Sequence, residues 1–164
     1  MTLNEIEEIF QIKKTFYSVV PFKSYLFNIM ELGKFDVELV DRLKENFKWL
    51  DSGQHNGYAY TVLFKGKPLL CFGLSFLWPG VATSWLIPHK NMINKHKVIF
   101  HKGALNYFKT AAKVYKLHRI DATVHSLNVQ GVKWIKSMYF EFEGLLRHYG
   151  YDKADYKLYS RIYK

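Results

Sequence analysis

The sequence predicts an α/β fold: a central mixed β-sheet with one parallel crossover and helices on both faces. Three patterns carry that prediction. Val81, Thr83, Trp85 and Ile87 recur at every second position, and so do Ile120, Ala122 and Val124, which is the period of a strand. Between them, Leu105, Phe108, Ala112 and Tyr115 lie three and four apart inside a long helix expected over residues 94–116. A strand, a long helix and a strand in succession imply a right-handed connection between two parallel strands.

The remaining elements follow in chain order. Residues 3–14 place Ile6, Ile9, Phe10 and Lys13 at helical spacing, with Glu5, Glu7 and Glu8 in the first turns, where the helix dipole favours negative charge. Residues 15–20 are rich in β-formers. Pro21 can open a helix that buries Tyr25, Leu26, Ile29 and Met30 and stops at Gly33. Residues 36–50 read as a further helix, with Val37, Val40, Leu43 and Phe47 on one side. Residues 58–64 and 68–76 are strands joined by Lys65-Gly66-Lys67, a short loop whose glycine marks a hairpin. Leu69 to Phe72 are apolar without alternation, as in a strand covered on both faces. After the strand at 120–125, Asn128 can cap a short helix whose Val132, Ile135 and Met138 share one face. Period two then returns, with Phe140, Phe142 and Leu145 set against Glu141 and Glu143.

Composition limits what such a fold can be. The 164 residues suit one domain, 1–164, with a helical amino-terminal part (1–50) and a sheet part (57–164), and no repeat or linker divides them. Cys71, the single cysteine, allows no intrachain disulfide and reads as a small core hydrophobe in a strand. The acidic, amphipathic amino terminus is no secretory signal. Residues 68–88 hold no charge and nearly reach membrane-spanning length, yet Gly73, Pro79 and Gly80 interrupt them, so two strands around a Trp-Pro-Gly turn fit better than a membrane helix. The expectation is a cytoplasmic protein without a membrane partner.

Charge is segregated. Between Ser52 and Ile120 there is no acidic residue, while Lys65, Lys67, Lys90, Lys95, Lys97, Lys102, Lys109, Lys113, Lys116 and Arg119 supply ten bases, equal to the whole net charge of +10. On the long helix Lys95, Lys102, Lys109, Lys113 and Lys116 form a stripe opposite Phe100, Ala104, Tyr107 and Ala111, which reads as a solvated outer face. Nucleic acid is a poor match, because the aromatics that would stack on bases face away from the lysines. His89, His96 and His101 share no helical face, so no metal site is expected. Lys97 is turned by the same wheel toward the apolar side in the first helical turn, beside free amides that can meet a phosphate.

Residues 119–149 carry a resemblance to a known family. Asn128 opens a short helix, Tyr139-Phe140 stands where that helix ends in Gly-Phe, and Glu143-Gly144 precedes Leu145-Leu146-Arg147. This block resembles the last third of the GNAT acyltransferase superfamily, and residues 156–162 look like its last strand. The likeness spans roughly residues 57–164 and is nearest to GNAT-like proteins of short-tailed phages, one of them a virion protein. The resemblance implies acetyl-CoA or CoA as cofactor and an unidentified amine as acceptor. It implies that Trp85, Leu86 and Ile87 face the pantetheine arm, that Lys95, His96 and Lys97 with the helix amides meet the pyrophosphate, and that Asn128 is a cofactor contact as well as a cap. No metal is implied. Two departures stand out: residues 89–97 lack the glycines of the family's phosphate loop, and Ile135 occupies the position of its proton-donating tyrosine. Two functions are therefore expected in competition, an acyl-CoA-dependent N-acyltransferase and a catalytically silent phage protein of the same fold. The silent protein would act in the virion or on a phage or host partner, in the cytoplasm of an infected bacterium.

Overall fold

The structure, a computed structural model, describes residues 1–10, 16–37, 40–41 and 57–164. Its sheet has seven strands in the order β1-β2-β3-β4-β5-β7-β6: β1 Tyr17–Pro21, β2 Gly57–Phe64, β3 Lys67–Trp78, β4 Val81–Pro88, β5 Arg119–His125, β6 Glu141–Leu146 and β7 Tyr156–Ile162. Only β4 and β5 pair in parallel, and the helix between them, Met92–Val114, is the crossover expected from the sequence. The helices are α1 (Leu3–Ile9), α2, which opens at residue 34 with 34–37 and 40–41 described, α3 (Met92–Val114) and α4 (Val129–Ser137).

Alternation along the strands sorts the side chains onto two faces. On one, Leu70, Phe72 and Leu74 of β3, Ala82 of β4 and Ile120 and Ala122 of β5 pack beneath α1, α3 and α4. The aromatic centre of this layer is Phe10 of α1, whose ring lies 5.3 Å from Phe72 and 6.0 Å from Phe100. The other face buries Cys71 and Ile87 beneath Phe22, Phe27, Met30 and Val40. Cys71 is the inert core residue its sequence context suggests: it is fully enclosed, and burial pushes its thiol up to about 12.

The turns obey local chemistry. Lys65 (φ 50°) and Gly66 (φ 76°) both lie in the left-handed region and close β2 onto β3 as a two-residue turn whose twist matches the strands. Pro79 and Gly80 reverse the chain between Trp78 and Val81, so the uncharged stretch is a hairpin, and no helix among the described residues is long and apolar enough to cross a membrane.

Several expectations are corrected. Pro21 ends β1 instead of opening a helix, and the turn that follows is a 3₁₀ helix, Ser24–Ile29. With three residues per turn, Leu26, Phe27 and Met30 face the core while Tyr25 and Ile29 are left exposed. α1 ends at Ile9, five residues before the expected limit, and residues 11–15 lie outside the described set. The helix expected at 36–50 begins two residues earlier, and its later part also lies outside. In β6 a register shift between Phe142 and Gly144, on a strand at the sheet's edge, leaves Phe142 and Leu145 exposed where alternation predicted burial.

Candidate active site

The parallel ladder between β4 and β5 is short. It runs from Val81 opposite Arg119 to Ser84 opposite Ala122 and stops there. Beyond that rung each strand follows its other neighbour: β4 stays paired with β3 through Trp85, Leu86, Ile87 and Pro88, and β5 stays paired with β7 through Thr123, Val124 and His125. The two strands therefore part like a fork, with the Ser84 hydroxyl donating to the Asp121 carbonyl (3.1 Å) at its crotch. Strand edges that have lost a neighbour expose backbone N–H and C=O groups that need partners. The fork opens into a cavity of about 550 Å³, lined by Trp85 and Leu86 on one side, Thr123 and Val124 on the other, and Asn128 to Gly131 at the start of α4.

One side of the mouth is closed by the segment leading into α2. Leu32 bridges His89, the Lys90 amide donates to the Glu31 carbonyl (2.7 Å), and the Lys90 ammonium pairs with the Glu31 carboxylate (2.7 Å). This clamp fixes Gly33 at the end of β4, so α2 starts across the fork, where the Phe35 ring packs at a tilt with its centre 4.7 Å from that of the His125 ring of β5. Asp36, one residue on, lines the cavity, and burial pushes its carboxyl up from 3.8 to about 6.

The other ionisable groups around the cavity are differently committed. His125 Nδ1 accepts from the Leu127 amide (3.2 Å) and His89 Nδ1 from the Asn91 amide (3.1 Å), so each neutral imidazole keeps its proton on Nε2 and turns a donor, not a base, to its surroundings. Lys34, Lys90 and Tyr156 also line the space. Asp36 is the one carboxylate among the described lining residues.

No family model and no curated protein matches the chain. Solved structures do. An acetyltransferase from Salmonella typhimurium that modifies the N-terminal serine of ribosomal protein L7/L12 superposes with a TM-score of 0.67 at 12% identity, covering 92% of this chain and 97% of the other. The ribosomal-protein-S5-alanine acetyltransferase of Vibrio fischeri gives 0.64 at 18% identity, over 92% and 95%. The microcin C7 self-immunity acetyltransferase MccE, solved with acetyl-CoA and AMP, gives 0.66 at 11%, over 90% and 93%. Such coverage, for a seven-stranded mixed sheet with one parallel pair among its described strands, decides the architecture. This is the GNAT fold.

Within the GNAT fold the residues singled out by sequence separate into groups. Trp85, Leu86 and Asn128 line the cavity, whereas Ile87, on the same strand face as Trp85, is buried with Phe22, Phe27 and Met30 and does not reach it. Asn128 is the N-cap of α4, its Oδ1 accepting from the Gly131 amide at 2.8 Å. His96 lies apart from the fork, with its Nδ1 2.6 Å from the Tyr17 hydroxyl and its ring against Phe64. Lys95 falls in the first turn of α3. Lys97 is exposed, not buried on the apolar side, and with α3 opening at Met92 it falls in the second turn and not the first. Ile135 lines the cavity and is almost fully buried, so the tyrosine position offers no proton there. Tyr139, by contrast, is an exposed residue in the left-handed region (φ 62°) that closes α4, a backbone position that suits the glycine of the family pattern.

Sequence reasoning missed Gly33, Phe35, Asp36 and Tyr156 at the mouth. A polar residue among the first positions of an amphipathic helix is the only signal Asp36 gives. Its place at the site comes from the clamp between residues 31–32 and 89–90, far apart in the chain.

Proposed function

We propose that the protein is an acyl-CoA-dependent N-acyltransferase, with the fork between β4 and β5 as the seat of the pantetheine arm of acetyl-CoA or CoA. The observation that supports this most strongly is the early end of the parallel ladder at Ser84 and Ala122, which leaves two strand edges facing an apolar slot. A ligand with a narrow chain and amide groups can use those edges as an extra strand would. Trp85 and Leu86 wall the slot, the Ile87 backbone adds to its β4 edge, and Asn128 holds the start of α4 against it. The thioester, when bound, supplies an activated acyl carbon to an amine acceptor.

The phosphate end fits the ligand less closely. Residues 89–97 contain no glycine, so a pyrophosphate would rely on the uncapped first-turn amides of α3 and on Lys95, His96 and Lys97. Affinity weaker and more salt-sensitive than a glycine-rich loop provides follows from that composition. The acceptor is an amine, and the free N-terminal serine named for the Salmonella enzyme makes a peptide α-amine the first candidate.

Isothermal titration of acetyl-CoA tests this reading. Saturable heat is expected, and Val124→Trp, which fills the gap beside β5, abolishes it. Absence of heat from the wild type at millimolar ligand sinks the proposal.

The buried Ile135 and the missing glycines favour a second reading, a catalytically silent GNAT-fold protein of a phage that serves in the virion or binds a phage or host protein. Mass spectrometry of purified particles tests it, and repeated absence of the chain rejects the virion form.

A further inference from the structure

We propose that Asp36 is the group that binds the acceptor's ammonium at the fork and takes its proton. The inference rests on the acyl-transfer reading and assigns the acceptor side of the same site.

Three observations meet at this residue. The first is position. The Leu32–His89 bridge and the Lys90–Glu31 contacts bring Gly33 to the end of β4, and the contact of the Phe35 ring with His125 ties the same turn to the end of β5. Asp36 lines the opening between the strands, on the helix whose Val40 packs with Cys71 and Ile87 on the sheet face away from Phe100, Tyr107 and Ile135. A ligand arm lying between the strands would share the cavity with both Asp36 and the start of α4.

The second observation is the state of the neighbours. Lys34 on the same helix, His89 and Lys90 at the end of β4, His125 on β5 and Tyr156 on β7 share the cavity with Asp36. His89 and His125 have given their basic nitrogens to backbone amides, and Lys90 is paired with Glu31. A proton on Nδ1 of His89 or His125 would break the contact with the backbone amide that this nitrogen accepts from. Asp36 forms no salt bridge among the described residues, and its carboxylate folds back over Gly33, with Oδ2 3.1 Å from where a β-carbon at position 33 would stand. Phe35, Trp85 and Tyr156 add aromatic faces around the opening, surfaces that also suit a cation.

The third is chemistry. A half-buried carboxylate is short of hydration and gains from an ammonium partner. Burial pushes this one up to about 6, close to neutrality, where a carboxylate can both hold an ammonium and receive a proton from it. The step balances as follows. The ammonium gives one proton to Asp36, which passes it to solvent. The freed nitrogen pair attacks the thioester carbonyl carbon, a C–N bond forms and the C–S bond breaks. The second nitrogen proton ends on the departing thiolate sulfur, giving amide and free thiol.

The test uses the full chain saturated with CoA and a short serine-initiated peptide amide bearing a free α-amine as the probe. Asp36→Asn is expected to bind CoA within about twofold of the wild type, yet to bind the peptide at least about tenfold more weakly. The same peptide acetylated on its α-amine should bind both proteins alike, because it carries no ammonium. With acetyl-CoA, Asp36→Asn should lose about 10²-fold in transfer rate together with the rising limb of the rate near pH 6, and Asp36→Glu should restore part of both. Equal peptide affinity in wild type and Asp36→Asn, or no binding of the peptide to the CoA-loaded wild type, overturns the role of Asp36 while leaving acyl-CoA binding intact. Failure of the wild type to bind CoA at all overturns the underlying reading instead.

Discussion

Asp36 carries a cost that can be measured without any substrate. Its carboxyl is raised from 3.8 to about 6 by loss of water, so the folded chain holds that proton more firmly than the unfolded chain does. The sign follows directly. Stability from this group is complete below the unfolded value and is lost as pH rises through about 6. The shift corresponds to roughly 2 kcal/mol once residual solvent contact is allowed for. Glu143 works in the opposite direction, since Arg119 and Ser160 hold its carboxyl low and its contribution fades on acidification. Substitution at residue 36 separates the two. Asp36→Asn, nearly isosteric and uncharged, is expected to be more stable than the wild type by roughly 2 kcal/mol at about pH 8, with the gap narrowing toward about pH 5. Urea midpoints across that range read the difference. A variant no more stable than the wild type at the alkaline end would show that the carboxylate is well solvated, and the mouth of the fork more open than drawn. The loss of stability on ionisation is also what makes the residue a candidate for function, because folding alone gains nothing from a half-buried lone charge.

At the level of elements, the fork depends on how β3 supports β4. Gly73 stands opposite Trp85 across the β3–β4 ladder, and a β-carbon at position 73 would fall 2.6 Å from the Tyr58 carbonyl oxygen and 2.9 Å from the Trp85 ring. The bare backbone lets the indole lie across the strand, with its far side 5.4 Å from the Phe22 ring, and so places it as a wall of the slot. Gly73→Ala should therefore cost at least about 2 kcal/mol and displace Trp85. Thermal unfolding and the fluorescence change relative to a Trp85→Phe background check both parts. Wild-type stability with unchanged Trp85 emission would refute the packing account. The same elements show what a sequence makes legible. The β4–α3–β5 crossover can be read because Val81 to Ile87 and Ile120 to Val124 carry strand periodicity on either side of a helical run, and connection rules then fix their relative direction. The point at which β4 and β5 part cannot be read, because Trp85 and Val124 look like ordinary strand residues, and their separation is imposed by β3 and β7. Pro21 misleads for a related reason. A proline suits both a strand end and a helix start, and its pairing with Tyr60 decides the matter.

For the molecule as a whole, the surplus positive charge is concentrated in one stretch of chain, residues 65–119, and the resemblance of residues 119–149 to a family pattern says nothing about its energetic effect. Lys102, Lys109 and Lys113 are exposed along α3 and Lys116 in the turn just past its end, and the helix has no acidic residue with which to pair them. Lys113 gains from the helix dipole in the last turn, but Lys109 and Lys113 are like charges four residues apart, and the whole chain carries +10. Self-repulsion of that kind weakens as ions screen it, with the Debye length falling from about 30 Å at 0.01 M salt to about 8 Å near 0.15 M. The melting temperature of the free protein should therefore rise by several degrees over that interval. The ion pair of Arg119 with Glu143 responds the other way, but it is one contact on the sheet face and is partly shielded from solvent. A variant with Lys102, Lys109, Lys113 and Lys116 changed to Gln should melt higher than the wild type at low salt and show a much flatter response. It should keep its affinity for acetyl-CoA, since none of the four lines the fork. An identical salt response in both proteins would mean that the stripe is already neutralised by its surroundings, and the segregated charge would then need a different physical explanation than repulsion held on one helix.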